Sequence, residues 1–334
     1  MGAYQIYKLV CVVVFNQQKI RQWGCCVRHN AIKTDYGRVR VDTELILETP
    51  LVSTEWLESN LEADDLRIFD TSVTLSSNPN GYGYEALSGL ENWKDNHIPG
   101  AGYLDLLNDL SKKNCQTSFM MPSIGPLVVN LEQSGIDDSS TVVLYNVGAP
   151  MWSTRVWWML RSIGLTNVAV LDGGWDKWEI EGRATSSCQS KYPKGRITSE
   201  FSKRMWVGKK AMFQAVQKGE PLALNALSPA VYSGEKNQYG RAGHLPGSWN
   251  VYYADVLDSR TGVFRKRQEL AEKFEPSGAL EADRVITYCG GGISATVLCL
   301  ALNLCGQNSV AVYDGSMSEW VRDEALPLKS GMLP

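Results

Sequence analysis

Cys289 ends the short apolar run Val285-Ile-Thr-Tyr288 and is followed at once by Gly290, Gly291 and Gly292. A helix begins near Ser294, in the apolar stretch SATVLCLALNLCG. A ligand site belongs at the carboxyl end of such a strand, facing a helix N-terminus. Three successive glycines let the backbone curl so that several N–H groups converge on one point, and the helix dipole adds to that field. The candidate anion cradle is therefore Gly290, Gly291, Gly292, Ile293, Ser294 and Ala295. It favours the thiolate of Cys289, with no neighbouring base required, and a thiolate so placed is a nucleophile toward soft electrophiles such as a sulfane sulfur.

Other readings of the same run are weaker. A buried cysteine can be simple packing, which is the reading for Cys299 and Cys305 within the apolar helix. Three glycines in a row serve no packing purpose at Cys289. A dinucleotide loop fails because GxGxxG does not continue past Gly292, and no GK[ST] follows. A cysteine phosphatase needs arginine five residues beyond the cysteine, where Ala295 stands, so the transferring phosphoryl group would lack its main charge stabiliser.

The rest of the chain offers little competing chemistry. Eight cysteines include no CxxC pair, and the histidines are His29, His97 and His244. No zinc site, disulfide framework or cofactor motif follows from them, and a reducing compartment suits the free thiols. His97 and His244 sit in turn segments, where they fasten loops by hydrogen bonds. Asp172 and Asp314 each close an apolar run before glycine and read as turn-formers.

The elements that position Cys289 are organised by a repeat. His97-Ile-Pro-Gly-Ala returns as His244-Leu-Pro-Gly-Ser, TVVLYN ending at Asn146 as RVITYC ending at Cys289, and VAVLDGG as VAVYDGS. The three pairs are offset by 147, 143 and 142 positions (97 to 244, 146 to 289, 172 to 314). Each unit alternates helix and strand. The first unit reads as helix from Ser53 to Leu61, strand LRIFD, strand TVVLYN, helix from Trp152 to Ile163, strand VAVLD and helix from Trp175 to Glu181. KKAMFQAVQKG, PLALNA, VITY, the cysteine-loop helix and VAVYD repeat that order. This pattern is an α/β fold: two domains, each a parallel sheet covered by helices on both faces. Residues 51–182 and 205–329 are the two units, and the polar, basic stretch 183–204 links them.

The chain has 334 residues, 44% apolar and 21% charged, with a net charge of -3. This is the balance of an ordinary globular protein, with no basic excess to hold nucleic acid. Residues 1–50 stand apart: five cations precede the first acid, Asp35, and the apolar run Leu9 to Phe15 is shorter than the roughly 18 residues of a membrane span. That extension reads as a targeting or disordered segment, so the expected location is intracellular, cytoplasmic or mitochondrial.

From about residue 51 to 329 the chain resembles the tandem-domain rhodanese and 3-mercaptopyruvate sulfurtransferases. The resemblance rests on HIPGA with HLPGS, LDGGWDKW with YDGSMSEW, and the CGGGISA loop. It implies two rhodanese-like domains and a ping-pong reaction in which Cys289 takes sulfur from a small donor. Cys289 would hold it as a persulfide and pass it to cyanide or a thiol. Thiosulfate is the first expectation for the donor and 3-mercaptopyruvate the second; a non-catalytic binding module is a further alternative. Asn146 carries no thiol, so the first domain is expected to be silent and to wall the cleft, with Trp152 in the core or in that wall. The chain also departs from the family. Gly290-Gly291 matches neither the basic pair of thiosulfate enzymes nor the Gly-Ser of mercaptopyruvate enzymes. Asn225-Ala-Leu227 and Val231-Tyr232-Ser233-Gly234 replace arginine-bearing D-x-R and R-F/Y-x-G patterns. Arg241, in QYGRAGHLPG, is the expected replacement cation, with a solvated loop charge as its alternative.

Overall fold

The computed structural model describes residues 45–78, 81–198 and 200–334. The basic N-terminal stretch with its expected targeting role lies, up to residue 44, outside the described residues.

The strands are β1 (Leu51–Val52), β2 (Leu66–Asp70), β3 (Val73–Ser77), β4 (Tyr84–Ser88), β5 (Gly102–Tyr103), β6 (Thr141–Tyr145) and β7 (Val168–Leu171), then β8 (Trp206–Val207), β9 (Leu222–Asn225), β10 (Trp249–Asn250), β11 (Val285–Tyr288) and β12 (Val310–Tyr313). Two five-stranded sheets result, ordered β1-β7-β6-β2-β5 and β8-β12-β11-β9-β10, and every pairing in them is parallel. The order is the same in both, so the repeat read from three short motifs is a repeat of topology. Strands β6 and β11 are central and buried along their whole length. That is why they read as unbroken apolar runs rather than alternating ones.

The helices are α1 (Thr54–Asn60), α2 (Leu90–Asp95), α3 (Ile124–Gln133), α4 (Met151–Ser162), α5 (Gly174–Ile180), α6 (Lys209–Lys218), α7 (Pro229–Ser233), α8 (Arg267–Phe274), α9 (Ala295–Leu304) and α10 (Ser316–Trp320). Ser53 caps α1 by accepting the Trp56 N–H, as its position before the apolar pattern implies. Gly164 and Gly219 follow α4 and α6 in the left-handed conformation. Cys305 caps α9 and is half-buried, rather than lying inside the helix as Cys299 does.

Helices α4 and α9 carry the contact between the two sheets' domains. Both are buried on nearly all faces, which a helix tolerates only at the centre of a larger core. One continuous apolar cluster runs from Phe69 and Leu144 through Trp157 and Leu298 to Val312. At the middle of the contact the Thr154 and Thr296 hydroxyls meet at 2.8 Å. These two residues are offset by the repeat distance, so the domains are related by an approximate two-fold axis passing between them.

The described residues of the stretch 183–204 have little regular structure and pack on the first domain. The Tyr192 hydroxyl accepts the Ile68 N–H and donates to the Gly100 carbonyl, and Ser186 bridges to His97. Among the described elements one has no counterpart in the second unit: the antiparallel hairpin β3–β4. It reaches across to the second domain, where the Gly83 N–H donates to the Gln238 carbonyl at 2.9 Å. Among the described residues no helix is long and apolar enough to cross a membrane.

Candidate active site

Cys289 sits where β11 ends, 2% exposed, at the bottom of a cleft of about 510 Å³ between the two domains. The loop behind it is held from below. Its own N–H donates to the Ser316 hydroxyl at 3.0 Å, and its carbonyl and that of Gly290 accept the Met317 and Ser318 N–H groups. Ser316 takes a left-handed φ of 48° to do this, and its hydroxyl donates onward to the Tyr313 carbonyl. A non-glycine residue held in that region reflects surroundings that over-determine it.

Above the sulfur the backbone is open. Among the described residues, the N–H groups of Gly290, Gly291, Gly292, Ile293 and Ser294 donate to no protein acceptor. Gly290, Gly291, Ile293 and Ser294 line the cleft, whereas Gly292 and Ala295 lie behind it, Ala295 opening α9. Glycine is required at Gly292, and at Gly290 a side chain could enter only by displacing Tyr239. Gly292 has a φ of 74°, and a Cβ there would fall 2.6 Å from the Asp314 carbonyl. A Cβ on Gly290 would lie 2.0 Å from the Tyr239 hydroxyl.

The equivalent loop in the first unit is closed. The Asn146 side-chain amide donates to the Val147 and Ala149 carbonyls at 2.8 and 2.9 Å, and its oxygen accepts the Ser153 N–H. The Val147 and Gly148 amides are bonded to Ser72 and Asp176. An amide side chain thus satisfies the turn that at Cys289 stays unfilled.

Several expectations change on contact with the structure. Arg241 does not face the cleft. Its guanidinium donates to the carbonyls of Asp323 and Leu326, at 3.0 and 2.9 Å, tying down the turn after α10. The reason is local: in the turn beyond α10 the Asp323 carbonyl accepts the Leu326 N–H, and the Arg241 fork reaches both that carbonyl and the Leu326 carbonyl. It is neither the substrate cation nor a solvated loop charge. Asp314 and Asp172 are more than turn-formers. Asp314 accepts from Arg155 and from the Met121 N–H, both at 2.7 Å, and Asp172 accepts the Phe264 N–H at 2.8 Å. Each aspartate therefore clasps the opposite domain, at positions again related by the repeat. Burial pushes the Asp172 carboxyl up to about 6.

The histidines do fasten loops. His97 Nδ1 bonds the Trp93 carbonyl at 2.6 Å, and His244 Nδ1 bonds the Tyr232 carbonyl at 2.8 Å while its ring stacks on Tyr232. The central strand anchors both turns, because the Tyr145 and Tyr288 hydroxyls accept the N–H groups of Ile98 and Leu245. Burial lowers His244 below its ordinary value, so it stays neutral. Burial likewise pushes the Cys299 thiol up to about 12, which makes it inert at neutral pH. Trp152 both packs, against Phe119 at 5.3 Å, and lines the cleft.

Four residues escaped the sequence reading. Arg155, fully buried, donates to the Gly292 and Phe119 carbonyls and pairs with Asp314 at 2.7 Å, with its guanidinium over the Trp206 ring. It is the first domain's hold on the cysteine loop. A lone charge among the buried positions of Met151 to Ser162 was its available signal. Tyr239 packs against Gly290, and Tyr84 lies on the hairpin; neither belongs to a spacing that could be recognised. Arg322 is the one charged residue among the described residues that line the cleft, and it is exposed and bonded to Gln116 across the cleft mouth.

A family model for the rhodanese-like domain matches residues 53–181 and 231–323. The probable 3-mercaptopyruvate sulfurtransferase of Pseudomonas aeruginosa is 30% identical over 291 residues, covering 84% of this chain and 98% of the relative. The mitochondrial thiosulfate/3-mercaptopyruvate sulfurtransferase 1 of Arabidopsis thaliana is 28% identical over 322 residues, covering 89% of this chain and 82% of the relative. Among solved structures, the 3-mercaptopyruvate sulfotransferase SseA of Escherichia coli superposes with a TM-score of 0.70 at 25% identity, over 80% of this chain and 98% of that one.

Proposed function

Since the chain belongs to the rhodanese family and is a sulfurtransferase, we propose that Cys289 is its sulfur carrier and that residues 51–182 form a catalytically silent partner domain. The observation that carries this reading is the contrast between the two loops. Among the described residues the five amides that follow Cys289 are unpartnered, four of them on residues that line its cleft, while the Asn146 loop is filled by its own side chain. Unpaired amides around one point are a cradle for sulfur that bears charge.

In the loading step the Cys289 thiolate attacks the outer sulfur of thiosulfate. A new S–S bond forms as the old one breaks, and sulfite leaves with the electron pair. The persulfide anion then lies among the amides of Gly290 to Ser294, whose dipoles are already oriented. In the unloading step a small thiolate or cyanide takes the outer sulfur, and the electron pair of the broken bond returns to Cys289. A second donor, 3-mercaptopyruvate, is favoured by one feature: Arg322 is the lone cation of the described cleft lining, which suits a monoanion better than a dianion. The location that fits this chemistry is a reducing one, mitochondrial or cytoplasmic.

Incubation with thiosulfate and intact-mass measurement tests the proposal. The wild type should gain one sulfur atom and Cys289→Ser none. Failure of the wild type to load from either donor, or loading of the Ser variant, would overturn it. Comparing kcat/KM for the two donors decides between them.

A further inference from the structure

The cleft is far larger than the sulfur chemistry demands, and its wall is of an unexpected kind. Its volume of about 510 Å³ lies in the range of roughly 300–1,000 Å³ that drug-sized molecules occupy, well beyond cyanide or thiosulfate. Rings from separate parts of the chain converge over Cys289. Tyr84 comes from the hairpin, Trp152 from the start of α4, Tyr239 from the segment before His244, and Tyr253 from the turn after β10. Tyr239 and Tyr253 both line the cleft with Cys289 and Tyr84, and Tyr239 packs against Gly290, the residue after the cysteine. Leu227 adds apolar surface. No Asp, Glu, Lys or His is among the described residues that line the cavity, and Arg322 at the mouth is already bonded to Gln116.

The hairpin makes this wall. It is the one described element absent from the second repeat, and it leaves Tyr82 and Tyr84 61% and 47% exposed above the cleft. Exposed aromatic side chains that edge a concave site mark a surface built to meet a ligand. Cys289, 2% exposed, shares the cleft with these rings, so a molecule that reaches its sulfur passes them.

Building on the assignment of Cys289 as sulfur carrier, we infer that the acceptor is a small aryl or heteroaryl thiol, whose ring lies between Tyr84, Tyr239 and Tyr253 while its sulfur meets the persulfide. The aryl thiolate attacks the outer sulfur, and the bond from that sulfur to Sγ breaks. The electron pair goes to Cys289, which is left as thiolate, and the outer sulfur keeps its negative charge and departs as the aryl persulfide anion. No oxidant is needed. Taking only the lower bound of ring–ring attraction for each of three tyrosines gives about a tenfold preference over an alkyl thiol of equal acidity.

The test uses the full chain, loaded with thiosulfate or 3-mercaptopyruvate and checked by intact mass before use. Discharge is then timed with thiophenol, with trifluoroethanethiol as the alkyl comparator of similar acidity, and with cyanide. The thiophenol to trifluoroethanethiol ratio of kcat/KM, corrected for thiolate fraction, should be about ten or more, and Tyr84→Ala should cut that ratio about twofold. Tyr84 is exposed, so its loss does not threaten folding, and the ratio cancels any general loss of activity. A ratio near one, a ratio unmoved in Tyr84→Ala, or faster discharge by a protein dithiol such as thioredoxin would overturn the inference while leaving the carrier role standing. Failure to load would instead remove the carrier role on which it rests.

Discussion

Replacing Arg155 with methionine keeps most of the side chain's volume and removes every polar contact it makes. The wild-type guanidinium is fully buried, pairs with Asp314 at 2.7 Å, and donates to the Phe119 and Gly292 carbonyls at 2.7 and 3.1 Å. Breaking a buried pair from one side leaves the other charge uncompensated, which costs about 3–5 kcal/mol. Asp314 keeps the Met121 N–H, so the lower half of that range, about 3–4 kcal/mol, is the expectation for Arg155→Met. Asp314→Asn should cost less, and the double variant should fall short of the sum by about 1–3 kcal/mol, because the two residues share one interaction. Urea unfolding at unchanged m-value reads these differences. The loop supplies a second readout. With Gly292 released, the amides beside Cys289 lose their fixed direction, so sulfur loading by folded Arg155→Met should slow by about tenfold or more. Stability within about 1 kcal/mol of wild type, or additive single effects, would refute the account of Arg155 as the clasp between the domains.

Other outcomes follow from the same geometry. Gly290→Ala drives a methyl group into the Tyr239 hydroxyl, so kcat/KM should fall about tenfold or more while the circular dichroism spectrum is unchanged. Arg241→Ala should leave the donor KM unaltered and lower stability by about 1 kcal/mol in urea, because the Leu326 carbonyl loses its donor while the Asp323 carbonyl keeps the Leu326 N–H. The carboxyls of Asp70 and Asp172 are raised by burial to about 6. A raised folded-state value means that their contribution to stability is fully present below about pH 4 and is lost as pH rises through 6. Asp172→Asn should therefore gain about 1–2 kcal/mol on wild type at pH 8 and nothing at pH 4 in paired denaturation curves, a figure reduced for its partial exposure.

The scaffold was legible because its signals are local or periodic. Five-residue apolar runs such as TVVLY are buried on both faces, Ser53 caps α1 with its own hydroxyl, and Gly164 ends α4 through its left-handed backbone. The duplication showed because three motifs recur at nearly constant spacing. The cysteine loop showed because glycine after glycine at a strand end has few other uses. Side-chain partners were not legible. Arg241 and Arg155 look alike in sequence, as one arginine near a motif. What separates them is which carbonyls come within reach once two distant segments meet.

The sequence by itself determined the α/β fold, its doubling, and Cys289 as the loop cysteine facing a helix N-terminus, since each depends on neighbours in the chain. Only the tertiary structure decided which amides stay unpaired, that Arg155 rather than Arg241 serves the loop, and that tyrosines rather than cations wall the cleft. Those features depend on α4 meeting α9, on Asp172 and Asp314 reaching across the domain boundary, and on a hairpin with no copy in the second unit. Contacts between residues ninety or more positions apart leave no pattern in the spacing of either partner.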